Sequence, residues 1–279
     1  MSIEIHPTAL VAEGAKLAEG VSVGPYSIIG SQVSLGKNVK IQSHVVIDGK
    51  TTIGAGTEIY PFAAIGLSAQ NLRYSGEPST VTIGEKCIIR EHVTIHAGTA
   101  AGTQIGRECY LMVASHVAHD CILGDYVIMA NNATIGGHVV IGEHSFIGGL
   151  AAIHQFVRIG AHVMISGTAG VSEDVMPYAT VSAMKAKLGG LNIIGMKRRG
   201  FERKDIHELR GAFKLLAKDQ EGTLEERLQK IQNLYGNCRT VKEVLDFIHQ
   251  DLKRPLCLPA EGWIFGNDES EESLRATGT

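Results

Sequence analysis

A six-residue period governs this chain. Aliphatic residues or Met recur at every sixth position from Ile5 through Val11, Leu17, Val23, Ile29, Leu35, Ile41, Ile47, Ile53 and Ile59 to Ile65. The frame holds at Ile83, Ile89 and Ile95, slips by four residues, and resumes at Ile105, continuing through Leu111, Val117, Leu123 and Met129 to Val171. Small or β-branched residues precede these by two positions, as in Val45-Val46-Ile47, and strand side chains two apart share a face. Gly often follows the aliphatic, as at Gly24, Gly36, Gly54, Gly106, Gly124 and Gly142, which predicts a corner turned by glycine in each hexad. Three such sides close a coil of about eighteen residues, and stacked coils pair edge to edge at roughly 4.8 Å. The expected fold is a mostly β parallel β-helix, a solenoid in which each aliphatic rung contributes about 1.5–3 kcal/mol of burial.

The helix should occupy residues 1–188, with an outward loop at about 67–80. From Gly189 the pattern turns helical: Ile206, Leu209, Phe213 and Leu216 share one face. Thr223 with Glu226, and Thr240 with Glu243, read as capping boxes opening two further helices. An α-helical domain is therefore expected over 189–265, and a disordered acidic tail over 266–279.

Composition excludes several classes. A net charge of −3 supplies no domain-wide cation excess for nucleic acid. No signal sequence and no run of eighteen apolar residues is present, so a cytoplasmic protein without stable membrane insertion is expected. Of the five cysteines, Cys87, Cys109 and Cys121 fall at inward positions and read as small core residues, which argues against covalent cysteine catalysis.

Numbering the sides of the prism places both interruptions, the loop and the extra residues near Ala97–Ala100, on the side of the hexads opening at Ile65, Ile95, Val117, Ile135, Ile153 and Val171. That column carries His119, Gly137 and Gln155 in successive coils, with His138 and His154 alongside. The loop segment Asn71-Leu72-Arg73-Tyr74 should lean over them, making a concave site. In His119-Asp120 a neutral imidazole suits proton abstraction from a hydroxyl, and the carboxylate can orient it or stabilise the imidazolium. No His-x4-His pair of the kind that holds zinc between β-helix subunits occurs, so no metal is expected. On another side Ile88, Tyr110, Ile128, Phe146 and Met164 form an outward apolar stripe, suggesting a subunit interface in a closed cyclic oligomer. The run Lys197-Arg198-Arg199 beside Asn192 could recognise phosphate.

The chain resembles the UDP-N-acetylglucosamine O-acyltransferases that open lipid A synthesis. The likeness is carried by Tyr74-Ser75-Gly76-Glu77-Pro78, Val117-Ala118-His119-Asp120-Cys121, Ala130-Asn131-Asn132-Ala133-Thr134, His154-Gln155-Phe156 and Lys197-Arg198-Arg199-Gly200-Phe201. The resemblance implies a left-handed coil, a homotrimer with sites between prisms, and transfer of a 3-hydroxyacyl chain from acyl carrier protein to the sugar 3-position. No cofactor is implied beyond the phosphopantetheine of the carrier. It also implies His119 as general base with Asp120 beside it, and the Gly137 N–H as oxyanion donor. Asn71, Arg73, His116, His138, His154 and Gln155 would hold the sugar nucleotide, with Asn192, Arg198 and Arg199 near uridine and phosphate. Gly167 occupies the position that sets acyl length. The chain departs from the family pattern at Asn71, Arg73, Ile194 and Lys185. These departures keep a UDP-3-amino sugar, giving an N-acyl product, open as an alternative acceptor, and a non-catalytic β-helix scaffold stands as the reading from another class.

Overall fold

The computed structural model describes residues 2–99, 101–217, 222–250 and 253–259. Most strands are two residues long, and together they build a parallel β-helix with three faces. An eleven-stranded first face runs from Glu4–Ile5 to Lys187–Leu191, a nine-stranded second face from Leu10–Val11 to Gly170–Val171, and an eight-stranded third face from Lys16–Leu17 to Arg158–Ile159. Successive coils pair in parallel and in register, as in Thr94↔His116↔Thr134↔Ala152. The hexads opening at Ile65, Ile95, Val117, Ile135, Ile153 and Val171 all lie on the second face, as the side numbering expects.

The inward rungs Ile65, Ile95, Val117 and Ile135 are fully buried, as are Cys87 and Cys121. The side chains of Ile88, Tyr110, Ile128, Phe146 and Met164 pair rung to rung on the outside of the first face.

The corners turn differently from the expectation. Left-handed φ falls mostly three residues after a rung, on non-glycines such as Tyr26 (59°), Asp120 (58°), His138 (59°) and Phe156 (65°) and on Gly14, Gly20 and Gly56; of the glycines directly after a rung, Gly66 alone among the described residues adopts it. The glycines answer a packing demand instead. A Cβ on Gly124 would lie 2.7 Å from the Glu143 nitrogen of the next coil, and one on Gly142 would lie 2.4 Å from the Ala161 nitrogen. Close approach of backbones, rather than conformational freedom, selects glycine at these sites.

The strand Lys187–Leu191 pairs antiparallel with Ala179–Ser182, so sheet continues past Gly189, where helix is expected to begin. Among the described residues four helices follow: α1 (Ile193–Arg198), α2 (Arg203–Ala217), α3 (Leu224–Tyr235) and α4 (Arg239–His249). Ile206, Leu209, Phe213 and Leu216 are buried along α2. The capping box of Thr223 and Glu226 opens α3 as expected. The second expected box does not form. Cys238 is the N-cap residue of α4, Thr240 is buried inside its first turn, and the Glu243 carboxylate instead bonds Arg239 and the Tyr178 hydroxyl. No helix of the described residues is long and apolar enough to cross a membrane. The acidic tail at 266–279 lies outside the described residues.

Truncating a fully buried rung should be costly, because a cavity adds to the lost burial. Ile135→Ala is expected to lower stability by about 2–5 kcal/mol, measured by denaturant unfolding.

Candidate active site

The corner between the second and third faces is where the coil is interrupted twice. The loop 68–79 leaves the strand Ala64–Leu67 there and returns at Thr80–Ile83. The extra residues after His96 follow one coil later, joined to the loop base by the Ala97 N–H donating to the Leu67 carbonyl at 2.9 Å.

These extra residues enclose a carboxylate. Asp120 is buried, and its oxygens accept from the Thr99 N–H at 2.9 Å, the Thr99 hydroxyl at 2.7 Å and the Ala101 N–H at 3.1 Å. Its own N–H donates to the Thr103 hydroxyl at 3.0 Å. Asp120 Oδ2 also lies 2.8 Å from His119 Nδ1. A carboxylate only accepts, so Nδ1 carries the proton and Nε2 keeps its lone pair. Asp120 thereby sets the tautomer that a general base requires.

The His119 ring lies over Gly137. A Cβ on that glycine would fall 2.6 Å from both Cε1 and Nε2 of His119. The Gly137 carbonyl accepts from Phe156 N–H at 3.0 Å, and its own N–H has no acceptor among the described residues. An imidazole lone pair and an uncommitted N–H thus meet at one corner, the pairing that acyl transfer needs.

His138 completes the cluster. Its ring is perpendicular to that of His119 with centroids 5.1 Å apart, Nε2 lies 3.7 Å from Asp120 Oδ2, and the ring stacks on Phe156 at 4.7 Å. Burial lowers the His138 pKa despite the attraction of Asp120, and His119 and Lys253 push the same way as burial. Ligand atoms of His119, Asp120 and His138 lie within 4.8 Å of one another, a spacing that could hold a metal ion. In the geometry seen, His119 and Asp120 spend those atoms on each other and the insertion donors bind the carboxylate, so the two form a hydrogen-bonded pair with His138 beside it.

His116 faces outward on the second face, with Nδ1 2.7 Å from the Thr94 hydroxyl and its ring edge-on to His96 at 5.0 Å. His154 and Gln155 occupy the next coil of the column, where the strap 253–259 crosses them. Arg254 contacts both residues and Lys253 sits 5.5 Å from the centre of the Phe156 ring. In the loop, the Asn71 side-chain oxygen accepts from the Arg73 N–H at 2.9 Å, and both residues are away from the buried core.

The remaining expected contacts lie on other edges of the same prism. Asn192 caps α1, accepting from Gly195 N–H at 3.0 Å, and donates to the His162 carbonyl at 2.9 Å. Arg199 donates to the His144 carbonyl at 2.8 Å. That is the corner between the third and first faces, and Arg198 is exposed beside it at the end of α1. Gly167 sits at the corner between the first and second faces, where an added Cβ would lie 3.1 Å from the Gly149 carbonyl oxygen. One chain therefore unites His119, Asp120, Gly137, His138, His154 and Gln155, and leaves Gly167, Asn192, Arg198 and Arg199 on two different edges.

Sequence reasoning assigned no site role to His96, Thr99, Ala101, Thr103, Lys253 or Arg254. The four-residue slip was the signal for the Asp120 cradle. Nothing local signals Arg254, which reaches its partners from about a hundred residues away.

Residues 174–257 match the family described as Udp N-acetylglucosamine O-acyltransferase, Domain 2, and residues 102–137 match the bacterial transferase hexapeptide (six repeats). A Caulobacter vibrioides protein named acyl-[acyl-carrier-protein]--UDP-N-acetylglucosamine O-acyltransferase is 51% identical over 92% of this chain and 98% of its own length. This chain belongs to the UDP-N-acetylglucosamine O-acyltransferase family. A member from Bartonella henselae is 45% identical over 92% of this chain and 94% of its own. Among solved UDP-N-acetylglucosamine O-acyltransferases, that of Moraxella catarrhalis superposes with a TM-score of 0.86 at 37% identity, covering 90% of this chain and 98% of its own. The acyltransferase of Francisella novicida gives 0.89 at 33% identity, covering 92% and 95%.

Two other histidines of this acyltransferase predict a pH response. Burial pushes His116 and His162 down to about 4, aided by His96 in the first case and by Arg199 and His144 in the second. Unfolded, these rings titrate near 6.5, so between 6.5 and about 4 the unfolded chain binds more protons than the folded one. The stability tied to the neutral rings is complete above pH 6.5 and is lost as pH falls toward about 4. Thermal melts across this range should show a falling midpoint, with a shallower fall in His162→Phe.

Proposed function

We propose that this protein transfers a 3-hydroxyacyl chain from acyl carrier protein to the 3-hydroxyl of UDP-N-acetylglucosamine, opening lipid A synthesis, with His119 as general base. The observation that carries this reading is the His119 ring, protonated at Nδ1 by its bond to Asp120 and placed with Nε2 over Gly137.

In this reaction His119 Nε2 removes the proton from the sugar hydroxyl while its oxygen attacks the thioester carbonyl. Charge develops on the carbonyl oxygen, where the uncommitted Gly137 N–H is available to it. The C–S bond then breaks, and the imidazolium returns its proton to the departing thiolate. The products are the 3-O-acyl sugar nucleotide and the carrier's free thiol. Asp120 stabilises the imidazolium between the two transfers. The donor arrives activated on phosphopantetheine, so no further cofactor takes part. Cys121, the nearest thiol in sequence, is buried and pushed up to about 12, which suits direct transfer without an acyl-enzyme.

Residues expected to hold the acyl chain and the sugar nucleotide sit on three edges of a single prism. A closed cyclic assembly in which neighbouring prisms lend edges to each other brings such groups together, and the apolar stripe on the first face gives it a contact surface. We take the assembly to be a homotrimer.

His119→Ala should lower kcat by about a hundred- to ten-thousandfold, the usual contribution of a general base. Gly137→Ala should cost about tenfold or more, because its methyl group displaces the base. Both are read with purified protein, UDP-N-acetylglucosamine, its 3-amino analogue and a set of acyl carrier thioesters. Undiminished transfer by His119→Ala would overturn the mechanism. Preference for the amine would overturn the acceptor, and no transfer by the parent would favour the scaffold.

A further inference from the structure

Arg254 holds two consecutive residues of the catalytic column. Its Nη2 lies 2.7 Å from His154 Nδ1, and its Nε donates to the Gln155 carbonyl at 3.2 Å. The arginine is itself held in place by the strap that follows it. Asp174 N–H donates to the Pro255 carbonyl at 2.8 Å, and Cys257 N–H returns a bond to the Asp174 carbonyl at 2.7 Å. The Asp174 carboxylate is in turn bound by Arg158, through its backbone N–H at 2.7 Å and its Nε at 2.8 Å. The fork is thus fixed to the last coils of the prism at a point opposite His154.

A guanidinium donates only and does not give up its proton in a protein. The His154 nitrogen that faces it must therefore present a lone pair. Nδ1 also lies 3.1 Å from the Gln155 carbonyl, which would suit the opposite tautomer, but that carbonyl already receives the Arg254 Nε–H. Both contacts of the fork are satisfied only when the His154 proton is on Nε2.

We propose that Arg254 is a positioning residue for the acceptor: its fork locks His154 in the neutral Nε2–H tautomer and makes that ring a hydrogen-bond donor toward an oxygen of the sugar nucleotide. The two histidines of the column then hold opposite tautomers. A carboxylate makes His119 a base at Nε2, and a guanidinium makes His154 a donor at Nε2. A residue acting this way supports substrate binding and leaves the chemical step alone.

The inference rests on the acyltransfer reading for its kinetic arm, whereas the tautomer is observable without turnover. Protein labelled with 15N-histidine is examined by long-range 1H–15N correlation, with the His154 signals assigned by their loss in His154→Ala. The parent should show His154 protonated at Nε2, and Arg254→Met should show exchange between the two tautomers. In kinetics, Arg254→Met should raise KM for UDP-N-acetylglucosamine about five- to tenfold with kcat within about twofold. Arg254→Lys, which keeps one cationic donor and the strap's charge, should give an intermediate KM. Arg254→Met combined with His154→Ala should be no worse than His154→Ala alone. A parent His154 protonated at Nδ1, a tautomer unchanged in both Arg254 variants, a fall in kcat at constant KM, or additive losses would each overturn the proposal. If the parent transfers no acyl group, the functional reading fails while the spectra still decide the clamp.

Discussion

In-register stacking of backbones is the constraint on which the molecule depends. Each two-residue strand is too short to be stable alone, and it persists because parallel neighbours above and below satisfy its hydrogen bonds. Register then fixes columns: Thr94, His116, Thr134 and Ala152 stand in file because their strands pair residue for residue. The glycines after each rung serve the same end, since a side chain there would strike the following coil's backbone. Chemistry on such a scaffold is specified by which residue occupies a given corner of a given coil. His119 over Gly137, with Gln155 beneath, is that specification written in three coils.

Much of this was legible without coordinates. The six-residue period gives the rungs, and counting sides places both insertions on the column of His119. The nature of the insertions was not legible. Thr99 and Ala101 of the second insertion bind the Asp120 carboxylate, whose burial would be prohibitive without donors. The pattern of Thr240 and Glu243 misled for a related reason: spacing encodes a capping box, but burial of Thr240 and the pull of Tyr178 on Glu243 decide where α4 begins. Local sequence cannot report partners that arrive from elsewhere in the chain, and Arg254 is the extreme case.

The histidines illustrate how far environment, rather than identity, assigns a role. Twelve occur in the chain. His162 is stacked between His144 and Tyr178 and serves the join between prism and helices. His116 and His96 are held neutral by burial beside the site. Along the column of His119 and His154 the decisive variable is the charge of the group facing Nδ1. An acceptor-only partner and a donor-only partner give the same side chain opposite hydrogen-bonding behaviour at the atom that faces outward.

The distance along the chain between Arg254 and His154 orders events during synthesis. Coils can close one after another as they emerge, because each needs only its predecessor, and the dyad of His119 and Asp120 is complete once the Gly137 coil has formed. The strap emerges about a hundred residues later than the ring it touches. A growing chain therefore holds the His119–Asp120 pair well before Arg254 reaches His154, and that contact waits on the last described residues to fold back.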